Sequence, residues 1–153
     1  MKRLLTSCIV VLLVAVMVAT AQQPQQKTDT VAKAGAPRTM AAGKAIYAKY
    51  CMACHQADGG GVPNLNPPLI KTTYVLDDKV RLINIVLNGL DEEVEIDGEF
   101  YSNPMPQLDI LTDQEIADVL TYIRNSFGNK ASAVAVAEVK AVRASNRLNT
   151  NPK

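Results

Sequence analysis

The sequence predicts an all-α domain over residues 40–129, with three main helices, shorter ones between them and one long loop. Three observations predict it. Apolar residues recur at helical spacing in three separate stretches. Only residues 94–101 carry a strand-and-turn pattern. The run 57–73 holds three consecutive glycines and three prolines, too many breakers for a regular element.

The elements follow in order. From Ala41 to Cys54, the residues Gly43, Ile46, Tyr47, Tyr50, Cys51 and Cys54 share one helical face. Gly59 to Gly61, Pro63, Pro67 and Pro68 then make a long loop, which in a compact domain is usually functional. A second helix is expected from Asp77 to Asn88, with Asp77 as N-cap, Val80, Ile83 and Leu87 on its apolar face, and Gly89 as its stop. Asp97-Gly98 suits the turn of a small hairpin over 94–101. In the stretch Ser-Asn-Pro-Met-Pro-Gln-Leu, residues 102–108, two prolines fix their own φ and keep their predecessors out of the helical region. Met105 is therefore expected in a stiff, extended strap. Thr112 and Glu115 form a capping box. Ile116, Val119, Leu120, Ile123 and Phe127 make the stripe of the helix it opens, and Gly128 ends it. A C-terminal extension, 130–153, is expected to be partly helical over 132–144 and loose beyond.

Residues 1–21 read as a secretory signal: Lys2 and Arg3, an apolar run, then Ala19-Thr20-Ala21 as the cleavage pattern. A retained membrane anchor is the alternative; the apolar run from Leu4 to Ala21 is borderline for a span, and the A-x-A site decides for cleavage. Residues 22–39, rich in Gln, Pro, Thr, Lys and Ala, are expected to form a disordered leader. The chain is therefore expected to be exported, periplasmic or otherwise outside the cytoplasm, and not membrane-integral after cleavage. The net charge is +1, with no basic stripe to suggest nucleic acid. Five tyrosines, two phenylalanines and no tryptophan predict a modest core that something else must complete.

Cys51-Met52-Ala53-Cys54-His55 is the C-x-x-C-H signature of c-type haem attachment. Its spacing has a mechanical reason. Residues i and i+3 share a helix face, so two thiols one turn apart can each form a thioether with one haem vinyl group. The next residue, His55, can then turn its imidazole towards the iron. Three other readings compete. A structural zinc site normally needs four Cys or His ligands, and this motif supplies three. A thiol redox pair would want a βαβ setting, whereas the pattern here is helical. A structural disulfide is the third. Export, helix and loop together favour haem.

His55 is the only histidine, so a second imidazole ligand within the chain is excluded. Met52, between the anchoring cysteines, cannot reach the opposite haem face, and Met40 lies one helix length before the anchor. Met105 is left as the candidate sixth ligand, the alternative being simple core packing, which needs no flanking prolines.

With these features in place, the sequence resembles a class I c-type cytochrome over about residues 40–129. The shared features are CMACH and its helix, the glycine-rich loop to Pro67-Pro68-Leu69, the Pro-Met-Pro strap and the terminal helix LTDQEIADVLTYIRNSFGN. The resemblance implies a cytochrome c fold around one covalently bound haem c, its iron held by His55 and Met105. It implies that the Pro67 carbonyl accepts from the imidazole N–H and that Leu69 packs on the haem. It implies that Gly43 and Tyr47 mark where the first helix crosses the last near Tyr122. The C-terminal stretch is similar to small monohaem cytochromes found beside, or fused to, periplasmic dehydrogenases and nitrite reductases.

A Met/His pair raises the reduction potential, and with both axial positions filled no site remains for substrate. The expectation is a non-enzymatic one-electron carrier. It would shuttle electrons between a dehydrogenase or reductase and a respiratory partner, such as an oxidase. The alternative is a haem enzyme or gas sensor, peroxidase-like, with a displaceable Met105. It would need distal polar groups, for which Tyr101, Asn103 and Gln107 are the candidates.

Overall fold

The computed structural model describes residues 31–149. Six helices and one two-stranded sheet occupy them. Helix α1 spans Val31–Tyr50, α2 Met52–His55, α3 Thr73–Leu76 and α4 Lys79–Asn88. Strands β1, Val94–Ile96, and β2, Glu99–Tyr101, come next, then α5, Asp113–Arg124, and α6, Val136–Asn149. The expected signal segment lies outside the described residues. The leader expected to lack structure over 22–39 is helical from Val31 onward, and Ala32, Ala34 and Ala36 have the strongest helix propensity of any residue. Among the described residues, no helix is long and apolar enough to cross a membrane.

The first helix, expected to run unbroken to Cys54, breaks at Cys51 and resumes as the single turn α2. Cys51 leaves ideal helical geometry at φ −114°, while its N–H still bonds to Tyr47 O and its carbonyl accepts from His55 N–H, each at 2.9 Å. Gln56, at φ 63°, ends the turn. The second helix starts after Asp78, one residue later than expected. The Asp78 carboxylate accepts from Val80 N–H at 2.8 Å and Arg81 N–H at 3.3 Å, and so provides the cap in place of Asp77. The buried stripe is then Leu82, Ile83, Val86 and Leu87. Val80, expected on that stripe, sits in the exposed first turn, 54% accessible.

Strands β1 and β2 pair antiparallel with Ile96 opposite Glu99, so Asp97-Gly98 forms the turn as expected. The strap follows directly. At the head of α5 the capping box forms: Thr112 Oγ1 accepts from Glu115 N–H, and Glu115 Oε2 accepts from Thr112 N–H at 2.8 Å. Ile116, Val119, Leu120 and Ile123 are buried. The helix ends at Arg124, before the expected stop. Phe127 and Gly128, both at positive φ, then turn the chain back.

The extension contributes to the core. Val134, Val139 and Val142 are buried, and α6 packs on both α4 and α5. The helix starts later than expected because Glu138 accepts from Ala135 N–H at 2.7 Å and closes the entry. It runs through residues expected to be loose.

Helices α1 and α5 cross at Gly43. A Cβ there would overlap the Asp118 carbonyl oxygen and come within 2.6 Å of Tyr122 Cβ. Beside the crossing, the rings of Tyr47, Tyr122 and Phe127 pack with centroids 5.3 to 5.8 Å apart. Gly43→Ala should therefore destabilise the protein by about 2 kcal/mol, because overpacking against backbone outweighs alanine's gain in helix propensity. Thermal unfolding of the two proteins checks this, and an unchanged or raised midpoint would show a loose crossing.

Candidate functional site

The six residues read from the sequence as holding the haem line one cavity. Cys51, Cys54 and His55 come from the α1–α2 break, Pro67 and Leu69 from the glycine-rich loop, and Met105 from the strap. The cavity holds about 1180 Å³, its open mouth included, and Leu82, Val86, Leu90, Val119, Leu120 and Ile123 form much of its apolar wall.

The proximal side is built around His55, which is 9% exposed. Its Nδ1–H donates to Pro67 O at 2.9 Å. That bond fixes the tautomer and leaves the Nε2 lone pair free to bind a metal, the usual second-sphere arrangement for a ligating histidine. Burial holds the imidazole below its ordinary pKa, with the Pro67 bond opposing. It is thus kept neutral, the form that coordinates.

The loop is shaped to bring Pro67 there. Gly61 N–H bonds to His55 O at 3.1 Å, and Leu69 N–H to Gly59 O at 2.7 Å. Gly61 has φ 67°, and a Cβ there would overlap the Asn66 carbonyl oxygen, so only glycine suits the position. Asn129 secures the far end of the loop. Its side chain accepts from Lys71 N–H at 2.7 Å and donates to Leu69 O and Ile123 O, each at 2.8 Å. This buried asparagine had no sequence signal, since its loop partners lie 58 and 60 residues away.

Cys51 and Cys54 are not joined by a disulfide. Burial, and then the neighbouring Cys54, push the Cys51 thiol up to about 11. A redox pair favours a thiolate with a depressed pKa, and this environment disfavours one. Among the described residues, no group of three or more His, Cys, Asp or Glu is placed to hold a metal ion.

Met105 is held by main chain as well as by prolines. Leu90 and Met105 exchange two backbone hydrogen bonds, each 2.9 Å, as an isolated antiparallel bridge. Gly89 permits the approach, because a Cβ there would meet Gln107 N at 2.9 Å. Asn103 ties the strap to the proximal loop through its N–H to Leu65 O at 3.1 Å and its amide to Asn66 Oδ1 at 2.7 Å. Of the three distal polar candidates, Tyr101 and Asn103 line the cavity, and Gln107 does not. The Asn103 amide is already engaged by Asn66.

The donor set and cavity fit haem c. Two thiols stand one turn apart on the wall, one imidazole nitrogen is free, and a thioether enters from a separate element. A further observation agrees. Thr72, fully buried and on the cavity wall, has a hydroxyl with no protein partner. Buried polar atoms need partners, and a carboxylate of a haem would supply one. Tyr74 also lines the cavity, and the Arg81 guanidinium stacks on its ring at 4.4 Å.

Comparison with known proteins agrees with this chemistry. A family model described as cytochrome c matches residues 40–127, more than half of the chain. The chain is 33% identical over 119 residues to cytochrome c-552 of Thermus thermophilus, covering 72% of this chain and 80% of that one. It is 35% identical over 111 residues to the cytochrome c subunit of the quinone alcohol dehydrogenase of Gluconacetobacter polyoxogenes, covering 66% of this chain and 22% of that one. The fructose dehydrogenase cytochrome subunit of Gluconobacter japonicus is 33% identical over 106 residues, with 67% and 22% covered. The chain thus spans about a fifth of the length of these dehydrogenase subunits.

Proposed function

The chain belongs to the cytochrome c family, and from that premise we propose that it is an exported, non-enzymatic electron carrier in which His55 and Met105 are the axial ligands of one haem c. Haem c, when attached through Cys51 and Cys54, supplies the one-electron iron couple. The polypeptide supplies position and dielectric. His55 is held in its metal-binding tautomer by Pro67. Met105 is held on a strap fastened to Leu90, and its neutral thioether favours the reduced, less charged state. The apolar wall excludes water and raises the cost of the extra charge on the oxidised site.

The observation that carries this reading is the joint placement of His55, with its Nε2 free, and Met105 on one cavity. Electrons enter and leave at the exposed edge of the site. Cys54 on the cavity wall is exposed, and Met52, 39% accessible, and Leu65, 51%, adjoin the lining residues Cys51 and Asn66 in the chain. The partner class is a redox protein, with a dehydrogenase as donor. The relatives named as dehydrogenase cytochrome subunits support that choice. Lys44, Lys49, Lys71 and Lys79 are candidates for steering an acidic partner; Lys79 is committed to Glu138 at 2.9 Å and to Ala133 O, and Lys49 lies over the Tyr50 ring, leaving Lys44 and Lys71 for that role.

With both axial positions filled by protein, the reduced protein should not take up carbon monoxide at neutral pH. Mixing the two and recording the absorption spectrum tests this. Ready binding would overturn the sealed site in favour of the gas-sensing or enzymatic alternative.

A further inference from the structure

The family match ends at residue 127, yet helix α6, beyond it, reaches back to the segment that carries Met105. Arg143 makes the contact. Its guanidinium donates to Asp109 O at 3.0 Å and Leu111 O at 2.6 Å, and pairs with the Asp113 carboxylate at 2.7 Å. The side chain is 16% exposed. Its three acceptors follow one another along the link between the strap and α5. Leu108 N–H, bonded to Val86 O at 2.8 Å, and Leu111 N–H, bonded to Leu108 O at 3.1 Å, close that link into a turn. Leu108 itself lines the cavity beside Met105.

The strap is fastened at several points: Asn103 and Leu108 tie it on either side of the methionine. The Leu90 bridge holds it at the methionine, and Arg143 holds the turn behind it. We propose that Arg143 is a positioning residue for the axial thioether, keeping the turn at 108–113 closed so that the Met105 sulfur cannot swing away from the metal site. A planar guanidinium suits the task because it offers several donors in a fixed fork, and it uses them here on two carbonyls and a carboxylate. Helix α6 has other attachments, namely buried Val139 and Val142 and the Lys79–Glu138 pair. Loss of Arg143 should thus free the turn while leaving the helix docked.

This inference rests on the reading of Met105 as axial ligand, and the test separates the two. Holoproteins carrying Arg143→Ala, Arg143→Lys, Val139→Ala or Met105→Ala are compared with the parent in the oxidised state. Imidazole is titrated in while the thioether-to-iron charge-transfer band is followed, and thermal midpoints are recorded. Arg143→Ala is expected to bind imidazole roughly tenfold more tightly, as the loss of a charge-assisted anchor weakens the competing thioether. Arg143→Lys should recover part of the difference. Val139→Ala should lower the thermal midpoint with parental imidazole affinity. If Arg143→Ala leaves imidazole affinity unchanged, or if Val139→Ala raises it equally, Arg143 is merely structural and the inference fails. If Met105→Ala itself retains the parental band and affinity, the ligand reading has failed first.

Discussion

A Cys51→Ala, Cys54→Ala double variant should lose its cooperative native fold. Without the two thioethers the haem is no longer tethered, and the cavity of about 1180 Å³, mouth included, must collapse, hydrate or stay empty. An empty volume costs about 24 cal/mol per Å³. On the scale that coefficient uses the cavity is about 130 Å³, so leaving it empty would cost on the order of 3 kcal/mol, a large share of the stability of a typical domain. Collapse would have to displace Leu82, Val119, Leu120 and Ile123, which face the cavity and also hold α4 to α5. Far-ultraviolet circular dichroism during a thermal scan should show reduced helicity and a broad, shallow transition. A sharp cooperative melt in the double variant would mean that the helices and α6 suffice without the cofactor.

Met105→Ala should leave the haem attached and open its distal face. The attachment would depend on Cys51, at the break between α1 and α2, and Cys54, within α2, both remote in sequence from the strap. The strap should keep its path, since its bridge to Leu90 and its ties at Asn103 and Leu108 are main-chain bonds or belong to other residues. Three changes are expected together. The thioether charge-transfer band should vanish. The reduced protein should take up carbon monoxide. The reduction potential should fall on the order of 0.1 V, within the roughly 0.8 V that axial ligands command. Retention of the parental potential and indifference to carbon monoxide would remove Met105 from the coordination sphere.

The parts of this molecule that were legible in the sequence are those written in local chemistry. The CMACH spacing, the proline bracket around Met105, the Asp97-Gly98 turn and the Thr112–Glu115 box each place cause and consequence within a few residues. Helix starts were less legible. Asp77 and Asp78 are chemically equal as caps, and the choice of Asp78 turned Val80 outward. The break at Cys51 had no warning either, because its residues fit a continuous helical face. What stayed invisible was long-range polar work. Asn129 bonds to backbone some sixty residues away, and Arg143 to backbone more than thirty away. The extension looked like a loose appendage because its valines gain meaning only against α4 and α5.

The Leu90–Met105 bridge has one more consequence. It is made by peptide groups alone, so it specifies a location in the cavity and is indifferent to what side chain stands there. Under the proposed ligation, ligand identity becomes an interchangeable part, and the potential of the protein could be reset at a single codon without redesigning the loop. Histidine, lysine or glutamine at 105 would inherit the same mounting. The prolines on either side, which at first sight serve the methionine, serve the socket instead.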